Sequence, residues 1–120
     1  MENSLIPNIP ITGVGIDLVT VSRFNKFVQD KNHPFLVKVF SSVELEYCFS
    51  YENPDVHLAG HFALKEAVSK ALGTSKYPFV EVEVRHGKEG EPEVWHKGIK
   101  LSVKVSISHT EEYACAIAVA

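Results

Sequence analysis

One long helical pattern dominates the 120-residue chain, the run DVHLAGHFALKEAVSKALG at residues 55–73. Its apolar residues recur at spacings of three and four, which predicts a single helix of about five turns. Asp55 is expected to cap the start of this helix and Gly73 to end it. After residue 78 the apolar residues recur with a period of two, which is typical of strands. This change of period predicts an α+β fold.

Shorter elements are predicted before the long helix. The β-branched run TGVGIDLVTV predicts a first strand over residues 12–21. A short helix should follow over residues 22–30, with Ser22 as its cap. Two further short helices are expected to start at Pro34 and at either Ser41 or Ser42.

The second half of the chain reads as strands joined by hairpins. Turn residues lie at 88–92 and at 110–112, which predicts antiparallel pairing of the strands on either side. The expected architecture is a small antiparallel sheet packed against one long and several short helices. The strands are predicted over residues 79–86, 93–96, 103–109 and 113–120.

Composition predicts one globular domain over residues 1–120 without a nucleic-acid partner. Hydrophobic residues make up 45% and charged residues 22% of the chain, the balance of an ordinary folded protein. The formal net charge is −3, so no chain-wide positive field exists to hold a nucleic acid backbone. An anionic ligand would need a local cluster of basic side chains.

No segment predicts a membrane span or a secretory signal. The uncharged stretch 3–16 is interrupted by prolines and glycines, and it is shorter than the roughly 20 residues of a membrane helix. The first basic residue is Arg23, whereas a secretory signal begins with positive charge. Cys48 and Cys115 lack the spacing of a disulfide framework or a zinc knuckle. We therefore expect a cytoplasmic protein with no membrane partner.

Asp17 interrupts the apolar residues of the first predicted strand. An ionised carboxylate in such a strand is costly to bury unless a cation or several hydrogen-bond donors meet it. Either Asp17 has such a partner, or it lies at a strand end and faces solvent. The strand alone does not separate these two alternatives.

The predicted long helix carries a polar stripe beside a row of small residues. Glu66 is the single acid among several basic side chains, an arrangement that resembles a site where a metal ion and phosphates meet. The alternative is an exposed ion pair between Glu66 and Lys70, worth a few tenths of a kcal/mol. The alanine row would let another backbone or a flat ligand approach closely. The stripe comprises Phe62, Glu66, Ser69, Lys70 and Gly73; the row comprises Ala63, Ala67 and Ala71; the basic neighbours are His61, Lys65, Lys70 and Lys76.

Three histidines are further candidates for chemistry. His109 ends a predicted strand, where its ring either reaches a ligand or simply lies on the surface. His57 and His61 have the spacing of two zinc ligands on a helix. A zinc protease would also need glutamate at position 58, which is leucine here, so a zinc site is disfavoured.

Three blocks of the chain together resemble the holo-[acyl-carrier-protein] synthases, small 4′-phosphopantetheinyl transferases. They are GVGIDLVTVSRF at 13–24, LAGHFALKEAVSKALGT at 58–74 and VSISHTEEYACAIAV at 105–119. The resemblance implies an α+β fold and a homotrimer with active sites between protomers. It also implies Mg²⁺-dependent transfer of 4′-phosphopantetheine from coenzyme A to a serine of acyl carrier protein, in support of fatty acid biosynthesis.

The resemblance also implies roles for individual residues. Asp17 and Glu66 match magnesium ligands, and His109 matches a histidine near the 3′-phosphoadenosine end, supplied by the adjacent protomer. In the family, one face of this helix contacts coenzyme A, and the matching residues here are Ser69, Lys70 and Gly73. A basic residue of the family faces the acidic carrier protein, and it corresponds to Arg23, with Lys26 beside it.

These roles are chemically coherent. Two carboxylates suit Mg²⁺, which takes its remaining ligands from phosphates and water. Lys70 can neutralise the pyrophosphate as the 3′,5′-ADP leaving group departs. The serine proton goes either to Glu66 or to a water molecule that Glu66 orients on the metal, and both possibilities stay open.

Three departures from the family pattern bear on binding. His61 stands where the family commonly has arginine in its AGRF segment, which would weaken phosphate contact or make it pH-dependent. Ser75 replaces the second glycine of LGTG, and residues 96–102 are too short for the usual helix, which bears on the trimer contacts.

Two other functions compete with the transferase. One is a non-catalytic module that binds coenzyme A or a related nucleotide, although such a module has no need for two carboxylates beside an anion. The other is a metal-dependent hydrolase built on His57 and His61, which lacks an identifiable third ligand.

Overall fold

The computed structural model describes residues 12–73 and 77–120 and confirms the α+β fold. The α-helices are α1 (Pro34–Val39), α2 (Ser42–Phe49) and α3 (Pro54–Leu72), and 3₁₀ helices cover Val21–Phe27 and Phe79–Glu81. The strands are β1 (Val14–Thr20), β2 (Val82–His86), β3 (Pro92–His96), β4 (Ile99–Lys100), β5 (Lys104–His109) and β6 (Tyr113–Val119).

The strands form two three-stranded sheets rather than one. The first sheet has the order β1-β6-β5 and the second has the order β2-β3-β4, with every neighbouring pair antiparallel. Both predicted hairpins are confirmed. The Gly87 N–H donates to the Glu91 carbonyl at 2.8 Å in one, and the Thr110 N–H donates to the Tyr113 carbonyl at 2.8 Å in the other.

The long helix begins one residue earlier than predicted, and its predicted cap is wrong. Pro54 is its first residue and Asn53 precedes it without a side-chain capping bond. Proline suits this position because it has no amide hydrogen to leave unsatisfied and its φ is already helical. Asp55 instead accepts a hydrogen bond from the Val56 N–H. Gly73 ends the helix as predicted, with a φ of 69° that favours glycine.

The shorter elements follow the predictions in part. Pro34 starts α1, and Ser41 caps α2 through reciprocal hydrogen bonds with Glu44. The predicted helix at 22–30 is instead a 3₁₀ helix ending at Phe27, and Ser22 does not cap it. The predicted strand at 79–86 begins only at Val82, because a 3₁₀ turn follows Pro78. Segment 96–102 contains the two-residue strand β4 and no helix, as expected.

Helix α3 packs against the first sheet at very short range because Gly15 lies in β1 and Gly13 lies just before it. A Cβ on Gly13 would overlap the Ala71 carbonyl oxygen, and a Cβ on Gly15 would overlap that of Ala67. The small residues therefore bring the β1 backbone directly onto the alanine row. This contact fixes β1 relative to the polar stripe of α3.

The first sheet has a buried and an exposed face. Ala114, Ala116 and Ala118 of β6 are fully buried under α3. The opposite face, here called the outer sheet face, exposes large apolar side chains: Val14, Ile16, Leu18, Tyr113 and Ile117. Within the described ranges, no helix has the length and apolar character needed to cross a membrane.

Candidate active site

Asp17 lies on the side of β1 that faces α3, where Lys70 meets it. The Lys70 Nζ donates a hydrogen bond to the Ile16 carbonyl at 2.9 Å and lies 3.4 Å from the Asp17 Oδ1. The Asp17 side chain is 17% exposed and that of Lys70 is 54% exposed. Of the two alternatives for Asp17, the structure therefore has the partnered one. The pair remains open to solvent, so an added ligand could reach both side chains.

Glu66 lies about one helical turn before Lys70 and is partly exposed. Within the described ranges, Lys70 forms its ion pair with Asp17 and Glu66 forms none. The alternative of a Glu66–Lys70 surface pair is therefore wrong for this structure. The second carboxylate at this end of α3 carries no balancing cation of its own.

The rest of the polar stripe continues toward the end of α3. Ser69 is partly exposed and the backbone of Gly73 is exposed. No atom of the described residues would lie within 4 Å of a Cβ on Gly73. We call Asp17, Glu66, Ser69, Lys70 and Gly73 the carboxylate end. Ser75 and Lys76 lie outside the described residues.

The carboxylate end fits a hard divalent cation that brings other ligands with it. Among the described residues, no group of three or more histidine, cysteine, aspartate or glutamate side chains could hold a metal ion. Two carboxylates alone are a poor zinc site but a usual magnesium site, because Mg²⁺ keeps waters and takes phosphate oxygens from its substrate. Asp17 and Glu66 are the residues that could hold such an ion.

The predicted basic surface around Glu66 is partly wrong, because Lys65 is buried. Its Nζ pairs with the Glu44 Oε1 and donates to the Phe79 and Val82 carbonyls. Both charged side chains are fully buried. Burial lowers the pKa of Lys65, and the neighbouring Glu44 carboxylate opposes that shift. Lys65 thus ties α3 to α2 and to the start of β2, and it does not face a ligand.

His61 also points away from the carboxylate end and into this buried network. Its Nδ1 lies 3.0 Å from the Glu44 Oε2 and its Nε2 lies 3.0 Å from the Nε2 of His86. The residue is 2% exposed. The expectation that His61 contacts a phosphate of coenzyme A does not agree with this geometry, because both ring nitrogens already have protein partners.

His57 does not join His61 as a metal ligand. Its ring stacks on that of Tyr51 at 3.7 Å, and the ring centres of Tyr47 and His109 lie 6.0 and 6.1 Å away. The zinc hydrolase alternative loses its basis, because neither histidine is arranged around a shared metal position within the described ranges.

His86 is a residue that the sequence analysis missed. It ends β2 and gives no local signal, because only the tertiary fold brings it to His61 and stacks its ring on Tyr47 at 3.9 Å. Burial lowers the pKa of His86 and of His57.

These histidines surround a cavity of about 170 Å³, which we call the histidine cavity. Its walls come from α2, α3, β5 and the β2–β3 turn, and His109 is the exposed member on β5. The cavity is lined by Tyr47, Val56, His57, Gly60, His61, His86, Gly90, Pro92, Ile107 and His109.

The predicted site residues thus form two groups within one chain. His109 lies beside His57 in the first turn of α3, whereas Lys70 lies in the last turn. The 13 residues from His57 to Lys70 span about 20 Å of helix at 1.5 Å per residue. One chain therefore does not bring His109 to the carboxylate end.

The basic residues proposed for docking line a separate groove of about 510 Å³. Arg23 and Lys26 are both exposed, and the Arg23 guanidinium lies 5.3 Å from the centre of the Phe62 ring. The groove thus combines positive charge with aromatic surface, its lining being Arg23, Phe24, Lys26, Phe27, His33 and Phe35. Lys31 lies apart and pairs with Glu46 at 3.5 Å.

Comparisons with known proteins match nearly the whole chain. The model of the 4′-phosphopantetheinyl transferase superfamily matches residues 13–118. The holo-[acyl-carrier-protein] synthase of Thermodesulfovibrio yellowstonii is 44% identical over 110 residues, which cover 91% of this chain and 97% of that protein.

Solved structures agree with this match. The crystal structure of a holo-(acyl-carrier-protein) synthase from Bacillus anthracis, in complex with CoA (3′,5′-ADP), has a TM-score of 0.77 and 32% identity, covering 91% of this chain and 95% of that one. That of the Helicobacter pylori enzyme with coenzyme A has a TM-score of 0.75 and 30% identity, covering 89% and 99%.

Proposed function

Because the chain belongs to the holo-[acyl-carrier-protein] synthases of the 4′-phosphopantetheinyl transferase superfamily, we propose that it uses the carboxylate end as a Mg²⁺-dependent active site. In this proposal 4′-phosphopantetheine passes from coenzyme A to a serine of apo acyl carrier protein, and 3′,5′-ADP is released. The observation that carries the proposal is the open pair between Asp17 and Lys70, one helical turn along α3 from Glu66, which forms no ion pair among the described residues.

Asp17 and Glu66 are the residues that would hold the metal ion. A bound Mg²⁺ would supply neutralising charge to the pyrophosphate of coenzyme A. The Asp17 carboxylate already lies beside Lys70, so the pyrophosphate would meet a cation from the protein in the same place. Ser69 and the exposed backbone at Gly73 lie farther along the same helix face, where we place the rest of coenzyme A.

The reaction needs one proton acceptor and one source of positive charge for the leaving group. The serine oxygen of the carrier forms a bond to the phosphorus on the pantetheine side of the pyrophosphate. The bond from that phosphorus to the bridging oxygen breaks, and 3′,5′-ADP leaves with the electron pair. Glu66 accepts the serine proton, because its carboxylate forms no ion pair within the part of the chain that the structure describes. Lys70 stabilises the negative charge that develops on the leaving group.

We further propose that each site is shared between two copies of a homotrimer. The pyrophosphate and the 3′-phosphate of coenzyme A are attached to the same ribose, so their binding groups cannot be about 20 Å apart along one helix. His109 would therefore come from the neighbouring copy. The outer sheet face supports assembly, because five large apolar side chains stand exposed on it.

The groove around Arg23 and Lys26 is proposed as the docking surface for acyl carrier protein. Carrier proteins of this kind are acidic, and two exposed cations would steer an acidic partner onto the groove. The aromatic walls then offer apolar surface to the docked partner. A role in fatty acid biosynthesis and a cytoplasmic location belong to the same proposal.

Mass spectrometry tests the proposed function. The protein is incubated with coenzyme A, Mg²⁺ and an apo carrier protein, and the carrier should gain the mass of phosphopantetheine. Omission of Mg²⁺ should remove the adduct. A carrier that stays unmodified while coenzyme A still binds would favour the non-catalytic binding module instead.

A further inference from the structure

Four polar groups form one continuous line through His61 and His86. The Glu44 Oε2 lies 3.0 Å from the His61 Nδ1, and the His61 Nε2 lies 3.0 Å from the His86 Nε2. The His86 Nδ1 then lies 3.2 Å from the Gly90 carbonyl oxygen. All three separations are hydrogen-bond distances.

The number of protons on this line follows from its two ends. A carboxylate and a backbone carbonyl only accept hydrogen bonds, so the Nδ1 of each ring must carry a hydrogen. The bond between the two Nε2 atoms needs one more hydrogen. Three ring hydrogens are thus required, whereas two neutral imidazoles carry only two. The line is complete only when the two rings together hold one positive charge.

We propose that His61 and His86 share a single proton, and that this proton fastens the β2–β3 turn to α3 and makes the histidine cavity positive. Loss of the proton leaves one of the three bonds without a hydrogen. Gain of a second proton places two N–H groups head to head at 3.0 Å. All three bonds are therefore made only while the pair holds one proton.

The surroundings place the charge on His61 rather than on His86. Glu44 accepts directly from His61, and burial lowers the pKa of His86. His86 is then the neutral ring that donates its Nδ1–H to Gly90. The other titratable or charged groups that face the pair are Tyr47 and Cys48 on α2, His57 and Lys65 on α3, Glu83 on β2, Glu91 after the turn and His109 on β5.

Those neighbours do not replace the shared proton. Tyr47 and Cys48 stay neutral because burial raises the pKa of each. Lys65 is already paired with Glu44, and Glu83 with Arg85. His57 and His109 also line the cavity, so the pair supplies one part of its pH-dependent charge, and variants at position 61 isolate that part.

The consequence for coenzyme A rests on the proposed function, in which the 3′-phosphate end lies near His109. His109 and the pair line the same cavity, so loss of the shared proton should weaken binding of an anion there. We expect the KM for coenzyme A to rise about tenfold as the proton is lost above neutral pH, the scale of one charged hydrogen bond. The kcat should change much less, because in that proposal the pair faces the 3′-phosphate of coenzyme A and not the pyrophosphate, where the bond breaks.

Nuclear magnetic resonance of ¹⁵N-labelled histidine side chains tests the shared proton in the ligand-free protein. We expect both nitrogens of His61 and one nitrogen of His86 to be protonated at neutral pH. Between about pH 5 and 8 the pair should exchange no more than one proton. His96, which lies 3.4 Å from Glu81 and outside this line, is the internal reference. Uptake of two independent protons by the pair, or two neutral rings at pH 6, would overturn the inference.

Two variants at position 61 test the consequence for coenzyme A. His61→Arg carries a fixed charge, so its KM should stay low from about pH 6.5 to 8.5 and depend on pH much less steeply than that of wild type. His61→Gln carries no charge, so its KM should be high and also depend less steeply on pH, even if the arginine variant does not fold. His96→Gln should behave as wild type.

The outcomes separate this inference from the proposed function. A pH dependence of KM as steep in either His61 variant as in wild type would overturn the link to the shared proton. Absence of transfer at every pH would refute the transferase proposal. The magnetic resonance experiment would still show whether His61 and His86 share one proton.

Discussion

Helix α3 presents two lysine–carboxylate pairs that differ in exposure. Lys65 and Glu44 are both fully buried, and the Lys65 Nζ also donates to two backbone carbonyls. Lys70 and Asp17 are joined at 3.4 Å and remain open to solvent. The two lysines are five residues apart and follow similar sequence patterns. Their surroundings decide that the first pair holds the fold together and the second is available to a substrate.

Glu44 differs from Asp17 and Glu66 in whether its carboxylate is free to take a ligand. Glu44 has no room for an added ligand, because Lys65 and His61 occupy its two oxygens. Asp17 has one cationic partner at longer range, and Glu66 has none within the described ranges. Only the exposed carboxylates can take a metal ion without leaving a buried charge unpaired.

Removal of the Asp17 or the Glu66 carboxylate should have the largest effect, a loss of phosphopantetheine transfer. Asp17→Ala and Glu66→Ala should each lower kcat by about a thousandfold or more, because each removes a metal ligand and Glu66 is also the proposed base. Circular dichroism and thermal unfolding should remain close to wild type. Near-normal transfer by either variant in saturating Mg²⁺ would refute the assignment of that residue.

Removal of the two lysines should separate stability from activity. Lys65→Met leaves Glu44 buried beside a neutral side chain and should lower the free energy of unfolding by about 3 to 5 kcal/mol. Lys70→Met, the matched variant, should change it by about 0.5 kcal/mol or less, because the exposed pair is screened by solvent. Transfer should fall much more in Lys70→Met, once rates are corrected for the folded fraction. If urea unfolding showed equal destabilisation by the two variants, the difference between a stabilising buried pair and a weak exposed pair would be contradicted.

The docking groove should respond to charge without affecting coenzyme A. Arg23→Glu is expected to raise the KM for the carrier about tenfold, and added salt should produce a similar change in wild type. Lys38→Glu, at an exposed position on α1 outside the groove lining, serves as the control. A carrier KM that responds to neither salt nor Arg23→Glu would place docking elsewhere.

The smallest predicted effect is a loss of stability in mild acid. Burial lowers the pKa of His57 and His86, so the folded protein binds fewer protons there than the unfolded chain. The stability that these two neutral rings contribute to the folded state is present above about pH 6.5 and is lost as the pH falls below that value. Because both rings are only half-buried, we expect a decrease of about 1 kcal/mol or less by pH 5.5. If the urea concentration at the unfolding midpoint were the same at about pH 6.5 and pH 5.5, the lowered pKa values of His57 and His86 would be contradicted.

Local sequence patterns predicted most of the elements but not the partners of the charged residues. The glycine after α3 and the capping serine of α2 have local physical causes, so their positions were predictable. Asp55 and Ser22 were not the caps because proline and a 3₁₀ helix changed the local geometry. The alanine row was open to either a ligand or a backbone, and only the fold shows that β1 covers it.

The same limit applies to the site. Glu66 and Lys70 stood out as part of a polar helix stripe and Asp17 as an acid in an apolar strand, and the family resemblance supplied their roles. Lys65 and His61 lie on the same helix with the same residue character, yet they face Glu44 from α2, a contact 17 or more positions away in sequence. His86 belongs to the network only through tertiary packing, so no sequence period pointed to it.

The central claim is that one site combines the carboxylate end of one copy with His109 of the next, and subunit mixing tests it directly. Asp17→Ala and His109→Ala protomers, each inactive alone, are unfolded, mixed in equal amounts and refolded. In a trimer with shared sites, about a quarter of the sites regain both residues, so transfer should recover to about a quarter of wild type. As the control, a variant that carries both substitutions is mixed in equal amounts with wild type, and the mixture should also retain about a quarter of wild-type transfer. Transfer no greater than that of the separate variants, with the control retaining half, would contradict the shared site, as would full activity of His109→Ala by itself.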